Sequence, residues 1–176
     1  MASDSGFENG RLAQCEVNTN CVSSNYNEPP NRYLSPFRSV NNRSEAFRRA
    51  VRAIGSAENN DFNVLEIVPS QFYIHLTVPG TTPGSLDDVE LVFVEDTATT
   101  SIVNVRCVAR VTLPPPPFCV QKNCINGNMD QRERVNRIAQ ILGLPPSDQD
   151  QMRKDAKWTP IFFNSDRVPD FADEDS

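Results

Sequence analysis

The chain has 176 residues, which is enough for one domain with a hydrophobic core and gives no reason to expect a second. Its net charge is -6, it has no basic stripe, and no apolar run approaches bilayer length, so nucleic-acid binding and a transmembrane segment are not expected. The acidity is concentrated in residues 165–176, which hold five acidic residues and one arginine. The first residues are polar and show no signal peptide, which leaves a cytosolic protein or a mature form without its targeting segment.

The N-terminal third of the chain is predicted to be an irregular arm followed by one helix. Residues 1–43 are rich in Asn, Ser and Pro and have almost no apolar periodicity. Residues 44–54 have the helical spacing of apolar side chains, with Ser44 as the predicted N-cap and Gly55 as the predicted C-cap. The predicted buried face of this helix consists of Ala46, Phe47, Ala50, Val51 and Ile54.

Strand patterns fill the centre of the chain. Alternating apolar and polar residues predict strands at residues 64–67, 72–78, 88–95 and 101–113. In the last of these, the side chains from Val103 through Cys107 to Val111 form the predicted buried face. One buried face and one wetter face indicate an antiparallel sheet, for which we predict three to five strands.

A second amphipathic helix is predicted over residues 129–142, with Asn128 and Gln131 forming a start like a capping box and Gly143 ending it. Residues 147–158 have the pattern of a polar helix, and an extended acidic tail follows. The predicted fold is therefore a single α+β domain whose sheet is flanked by two amphipathic helices. Its predicted parts are an arm (1–43), a core (44–144) and a C-terminal segment (145–176).

The five cysteines include two local pairs in loop-like stretches: Cys15 with Cys21, and Cys119 with Cys124. Cys107 stands alone inside a strand pattern. Two disulfides and one buried thiol are typical of an oxidising compartment. Five free thiols remain the alternative. Zinc fits less well, because the only histidine is far from both pairs in the sequence, and no metal or cofactor is predicted.

Charged side chains on the strands are the candidate ligand-binding residues. Arg106 and Arg110 lie on the same face of a strand, roughly 13 Å apart. A neighbouring strand can bring Asp88 or Glu90 between them, which leaves an anion pocket or a solvated charge ladder as alternatives.

No catalytic residue is predicted from the remaining polar groups. Asp87 and Asp88 are adjacent on a strand and point to opposite faces, so they cannot form one acid–base pair. His75 lies on the polar face of its strand, and a nucleophile within its reach is not expected.

Four blocks in order resemble the DUF1499 family of unknown function: NCVSS at 20–24, LDDVELVF at 86–93, VRCVARV at 105–111 and RERVNRI at 132–138. The resemblance covers about residues 20–144. Bacterial members tend to have Arg-Ser-x-Ser-Arg where this chain keeps the two arginines and loses both serines. A proline-rich loop with two cysteines after residue 113 is more similar to the algal or plant plastid branch. That branch implies the chloroplast, in particular the thylakoid lumen, or otherwise another oxidising, non-cytosolic compartment.

Two hypotheses for function follow. The first is a non-enzymatic binding or assembly module with a protein partner such as a membrane-bound photosynthetic complex, docked through the aromatic residues Trp158, Phe162 and Phe163. The second is a carrier of a small ligand or anion, or a cryptic enzyme, with a pocket near Arg106 and Arg110.

Overall fold

A computed structural model describes residues 6–16, 19–25, 32–57, 62–112 and 128–145, and it has the predicted α+β architecture with two helices and antiparallel strands. The helices are α1 (Arg43–Ser56) and α2 (Met129–Leu142). The strands are β1 (Phe7–Glu8), β2 (Arg11–Leu12), β3 (Cys21–Ser23), β4 (Phe37–Ser39), β5 (Asn63–Val68), β6 (Tyr73–Pro79), β7 (Leu86–Glu95) and β8 (Ser101–Ala109).

The main sheet has six strands, so the predicted count of three to five was wrong. The strand order is β3-β8-β7-β6-β5, with β4 also pairing with β8. The additional strands β3 and β4 belong to the segment that was predicted to be an irregular arm. Each has only three residues, too few to produce a visible alternation, and each forms by pairing antiparallel with the long strand β8.

Strands β1 and β2 form a separate hairpin in the same N-terminal segment. Its turn is Asn9-Gly10, and both residues have positive φ, 52° and 79°. Two such residues match the twist of a two-residue hairpin, and Asn-Gly is the preferred sequence for it. The hairpin was therefore recognisable from the sequence, although it was not predicted.

The hydrophobic core lies between one face of the sheet and the two helices. Side chains such as Leu91 and Phe93 of β7 and Val105 of β8 pack there with Phe47 of α1 and Ile138 of α2. The predicted alternation on β8 is correct as far as Ala109, where the strand ends. Val111 lies beyond that end and is 51% exposed, so its predicted place on the buried face was wrong.

The start of α1 differs from the prediction in its capping residue. Asn42, and not Ser44, is the N-cap, with its Oδ1 accepting a hydrogen bond from Glu45 N at 3.0 Å. Gly55 lies within the helix, whose last residue is Ser56 and whose C-cap is Ala57, so the predicted C-cap at Gly55 was wrong.

Helix α2 has the predicted bounds and ends at Gly143 with φ 65°. The predicted capping box is wrong, because Asn128 Oδ1 accepts a hydrogen bond from Cys21 N at 3.0 Å and ties the helix start to β3. The predicted polar helix at residues 147–158 lies outside the described residues.

Candidate functional site

The outer face of the sheet, which points away from the helices, carries a polar group on each of its three long strands. Alternation along β6, β7 and β8 places these side chains on one face, and the register sets His75 opposite Glu90 and Glu90 opposite Arg106. We call this set the outer polar cluster; it consists of Tyr73, His75, Asp88, Glu90, Arg106 and Arg110.

Glu90 is the centre of one half of the cluster. Tyr73 Oη donates a hydrogen bond to Glu90 Oε1 at 2.8 Å, and Arg106 Nη1 donates to Glu90 Oε2 at 2.6 Å. Glu90 is 1% exposed and Arg106 is 9% exposed. Burial, together with the negative charge of Glu90, raises the pKa of the Tyr73 hydroxyl well above its usual value, so Tyr73 remains a hydrogen-bond donor.

Asp88 is the centre of the other half. His75 Nε2 lies 2.9 Å from Asp88 Oδ1, and Arg110 binds both carboxylate oxygens through Nε and Nη2 at 2.8 Å. Burial alone would raise the pKa of Asp88, but the hydrogen bonds from Arg110 and His75 outweigh it and lower that pKa to about 2. Asp88 is therefore a carboxylate at neutral pH.

The structure brings the three predicted ligand-binding residues Arg106, Arg110 and Asp88 onto one face with Glu90, Tyr73 and His75. It also pairs each arginine with a carboxylate of the chain itself. His75 lies on the predicted face but is only 2% exposed. Opposite charges on neighbouring strands stabilise the register of the sheet, and this is the chemistry that the arrangement supports most directly.

The β1–β2 hairpin covers the Glu90 half of the cluster. The Phe7 ring stacks on the Tyr73 ring with centroids 4.4 Å apart, and Leu12 packs with Tyr73 and Val92. Gly6 lies so close that a side chain there would overlap Arg106 Nη1 and Glu90 Oε2. The Glu90 half of the cluster is consequently covered, whereas Arg110 of the Asp88 half is exposed, and the sequence prediction missed this cover together with the hairpin.

The predicted disulfide between Cys15 and Cys21 is present, with the two Cα atoms 5.6 Å apart. It joins the segment after β2 to the first residue of β3. Cys107 is a buried free thiol, as predicted, and burial raises its pKa. Cys119 and Cys124 lie outside the described residues, as do the predicted docking residues Trp158, Phe162 and Phe163.

A second polar group lies on the inner face of the sheet, around Asp87. Gln131 Nε2 donates to Asp87 Oδ2 at 3.0 Å, and Arg134 Nη1 lies 3.0 Å from the same oxygen. Burial raises the pKa of Asp87 although both partners favour its charged form. Arg134 also donates to the Pro79 carbonyl at 2.9 Å, so this group attaches α2 to the end of β6. Gln131 was predicted to take part in a capping box and Arg134 was named only within the family-like block 132–138, so a contact of either residue with Asp87 was not predicted.

A cleft of about 250 Å³ opens beside Arg134, between α2 and the corner of the sheet where β5 begins. Its apolar lining comes from Phe62, Val78, Ile138 and Ile141, and its charged lining from Asp130, Glu133, Arg134 and Arg137. A concave apolar surface with a charged rim is a common form of binding site.

Strand β5 forms one edge of the main sheet. It pairs with β6 on one side, and the described residues supply no strand on its other side. Its neighbouring apolar side chains Val64 and Leu65 are 44% and 47% exposed. The opposite edge is different, because Leu34 N donates to the Ser23 carbonyl at 3.0 Å and the chain covers β3 there.

The described ranges hold neither a metal-binding group nor a helix that could span a membrane. No group of three or more His, Cys, Asp or Glu side chains there is placed to hold a metal ion. In the same ranges, no helix has the length and apolar character needed to cross a bilayer.

Comparison with known proteins identifies the family but no individual relative. The model of the family described as "Protein of unknown function (DUF1499)" matches residues 11–114, which is more than half of the chain. No curated protein and no solved structure matches the chain. The matched residues include the N-terminal hairpin strand β2 and all six strands of the main sheet. The chain belongs to the DUF1499 family.

Proposed function

We propose that the chain is a non-enzymatic protein-binding module that takes an extended segment of a partner protein along the free edge of β5. The observation that carries this proposal is the exposed edge itself, where Val64 and Leu65 are 44% and 47% exposed beside backbone groups without a strand partner in the described chain. Exposed apolar edge strands are templates for pairing with another chain, and native proteins that do not use them usually cover them.

The cleft next to β5 supports the same proposal. Phe62 directly precedes β5 and lines the cleft together with Val78 and Ile138. A partner strand added to β5 would gain affinity from backbone hydrogen bonds and specificity from an apolar side chain placed in this cleft. We name the outer edge of β5 and the cleft together the β5 edge surface.

An anion carrier is the weaker alternative. Arg106 and Arg110, which would bind the anion, are already bound to Glu90 and Asp88 at 2.6 and 2.8 Å. Arg106 is only 9% exposed under the hairpin. An anion would have to displace a buried carboxylate and leave that carboxylate without its cation, which is costly. We therefore propose that the outer polar cluster stabilises the sheet and does not bind a ligand.

We further propose that the module works in an oxidising compartment, and that this compartment is the thylakoid lumen, where the partner belongs to a membrane-bound photosynthetic complex. The Cys15–Cys21 disulfide supports an oxidising compartment, since such bonds are rare in the cytosol. The resemblance of the chain to the plastid branch of its family supports the lumen. Localisation of the tagged protein by immunogold microscopy would test this, and a cytosolic signal would contradict it.

Site-specific photo-crosslinking tests the binding surface. A benzophenone side chain is placed at position 64 of the full chain, which is then incubated with a detergent extract of the source cells. A matched control carries the same group at position 111, where Val111 is 51% exposed but lies beyond the end of β8. We expect a crosslink from position 64 to one extended peptide of another protein, and no such crosslink from position 111.

A synthetic copy of that peptide then separates binding from chance contact. We expect its Kd to rise at least about tenfold in a Val64→Asp/Leu65→Asp variant and to stay unchanged in Val111→Asp, because each charged side chain removes apolar contact worth more than 1 kcal/mol. Crosslinks from position 64 only to residues of the same chain, or equal affinity of both variants, would refute the proposal.

A further inference from the structure

The β1–β2 hairpin is positioned as a cover over a buried charged pair. Gly6 lies against the Arg106–Glu90 pair, and Phe7 stacks on Tyr73, the third member of that half of the outer polar cluster. Two other contacts hold the hairpin down: Leu12 is buried against Tyr73 and Val92, and Asn25 Nδ2 donates to the Leu12 carbonyl at 3.0 Å. The hairpin has two residues per strand, and a hairpin of that size is not stable by itself in water.

We propose that the Cys15–Cys21 disulfide is the latch of this cover, so that the Arg106–Glu90–Tyr73 group is sealed only when the chain has been oxidised. The bond fixes the segment that leaves β2 to Cys21, the first residue of β3, which is itself paired with Val108 of β8. Without the bond, the hairpin depends on the few contacts of Phe7, Leu12 and Asn25.

The chemistry of the latch is thiol–disulfide exchange with a dithiol reductant. A thiolate of the reductant attacks Sγ of Cys15, the Cys15–Cys21 bond breaks, and Cys21 leaves as a thiolate that takes a proton. The second thiol of the reductant then releases Cys15 as a thiol, and the reductant becomes a disulfide. The chain gains two electrons and two protons in this reaction.

Burial of the two cysteines determines when the disulfide can be reduced. Cys15 is 8% exposed and Cys21 is 0% exposed, so a reductant reaches the bond only after the cover has partly opened. A closed cover therefore resists reduction, and a reduced chain with an open cover is the state that oxidation acts on. The cover is therefore closed in a chain that has folded in an oxidising compartment and open in a chain that has not.

Hydrogen exchange followed by mass spectrometry tests the latch on the full chain. The samples are wild type, wild type after dithiothreitol, and a Cys15→Ser/Cys21→Ser variant with and without dithiothreitol. We expect exchange of amides in residues 6–12 to become faster on reduction or substitution, by up to about 50-fold, the limit that loop-closure entropy sets when opening of the hairpin also releases the seven-residue loop between the two cysteines. The amides of β7 and α1 should keep their protection.

The variant with dithiothreitol is the control for Cys119 and Cys124. Exchange in residues 6–12 of this variant should not respond to dithiothreitol, whereas a response would assign the effect to other cysteines and overturn the proposal. Unchanged exchange of the hairpin in reduced wild type would also overturn it. So would equal acceleration in residues 6–12, β7 and α1, because the bond would then hold the whole fold and not the cover.

Discussion

Asp87 and Asp88 are consecutive on β7, yet their carboxylates lie on opposite faces of the sheet and their pKa values shift in opposite directions. Asp88 is bound by Arg110 and His75 on the outer face. Asp87 is bound by Gln131 and Arg134 on the inner face, where burial outweighs both partners. The alternation of a strand thus separates two adjacent acids into one that stabilises the fold in its charged form and one that costs stability when charged.

The pKa of Asp88 predicts the acid sensitivity of the fold. Its folded value of about 2 lies below the ordinary 3.8, so its ionised form contributes stability above pH 4 that is lost as the pH falls toward 2. The shift corresponds to about 2 kcal/mol. We expect Asp88→Asn to lose about that much free energy of unfolding at pH 7 in urea titrations and to lose less than wild type between pH 5 and pH 2.

Asp87 should behave with the opposite sign. Its folded pKa is raised, so protonation on acidification favours the folded state and partly offsets the loss from Asp88. Asp87→Asn removes this offset. The free energy of unfolding of Asp87→Asn should therefore fall more steeply with decreasing pH than that of wild type, and a shallower fall in the same titrations would contradict the assignment.

Glu90 neutralises a buried arginine, which makes its charge important for folding. Glu90→Gln keeps an acceptor for Tyr73 but leaves Arg106 without a negative partner, and breaking a buried ion pair in this way costs about 3 kcal/mol or more. The double variant Glu90→Leu/Arg106→Met should recover most of that loss, since no unpaired charge remains. A double variant less stable than Glu90→Gln in urea unfolding would show that the pair itself is irreplaceable.

Two glycines offer a matched test of the hairpin contact. Gly6→Ala places a methyl group against Arg106 Nη1 and Glu90 Oε2, and we expect a loss of about 1–3 kcal/mol with faster hydrogen exchange in the hairpin. Gly55→Ala, in α1, meets no atom within 4 Å and should gain about 0.5–1 kcal/mol. Equal effects of the two substitutions on thermal unfolding would argue against a close contact at Gly6.

Alkylation followed by intact-mass spectrometry tests which cysteines are free and which are paired in disulfides. In the native protein Cys107 should not react, because it is fully buried and its pKa is raised. In denaturant without reductant, Cys107 should react and Cys15 and Cys21 should not. Cys119 and Cys124 are predicted to be paired as well, which gives one adduct in total; three adducts would mean that the second pair is open.

The periodicity of side chains within the longer elements explains which parts of the fold could be predicted from the sequence. The strands β6, β7 and β8 and helix α2 are long enough for their side-chain alternation or helical spacing to be visible, and the placement of Arg106, Arg110 and Asp88 on one face followed from it. The disulfide between Cys15 and Cys21 followed from local spacing.

The missed features depend on tertiary contacts. β3 and β4 have three residues each and form because β8 offers them an edge. Asn128 fits a cap by type but bonds to Cys21 of a distant strand, 107 residues away in the sequence. Exposure was also misjudged, because the hairpin that buries Glu90 and Arg106 is folded by its Asn9-Gly10 turn in a segment without periodicity.

Amide exchange at β5 reports residue by residue whether this strand pairs with an extended segment of another protein. The peptide identified by crosslinking is added to the full chain at ten times its Kd, and exchange is compared with and without it. If the partner segment pairs with β5, amides of residues 63–68 become protected while those of β3 and β4 do not change. Protection elsewhere on the chain with no change at residues 63–68 would contradict it.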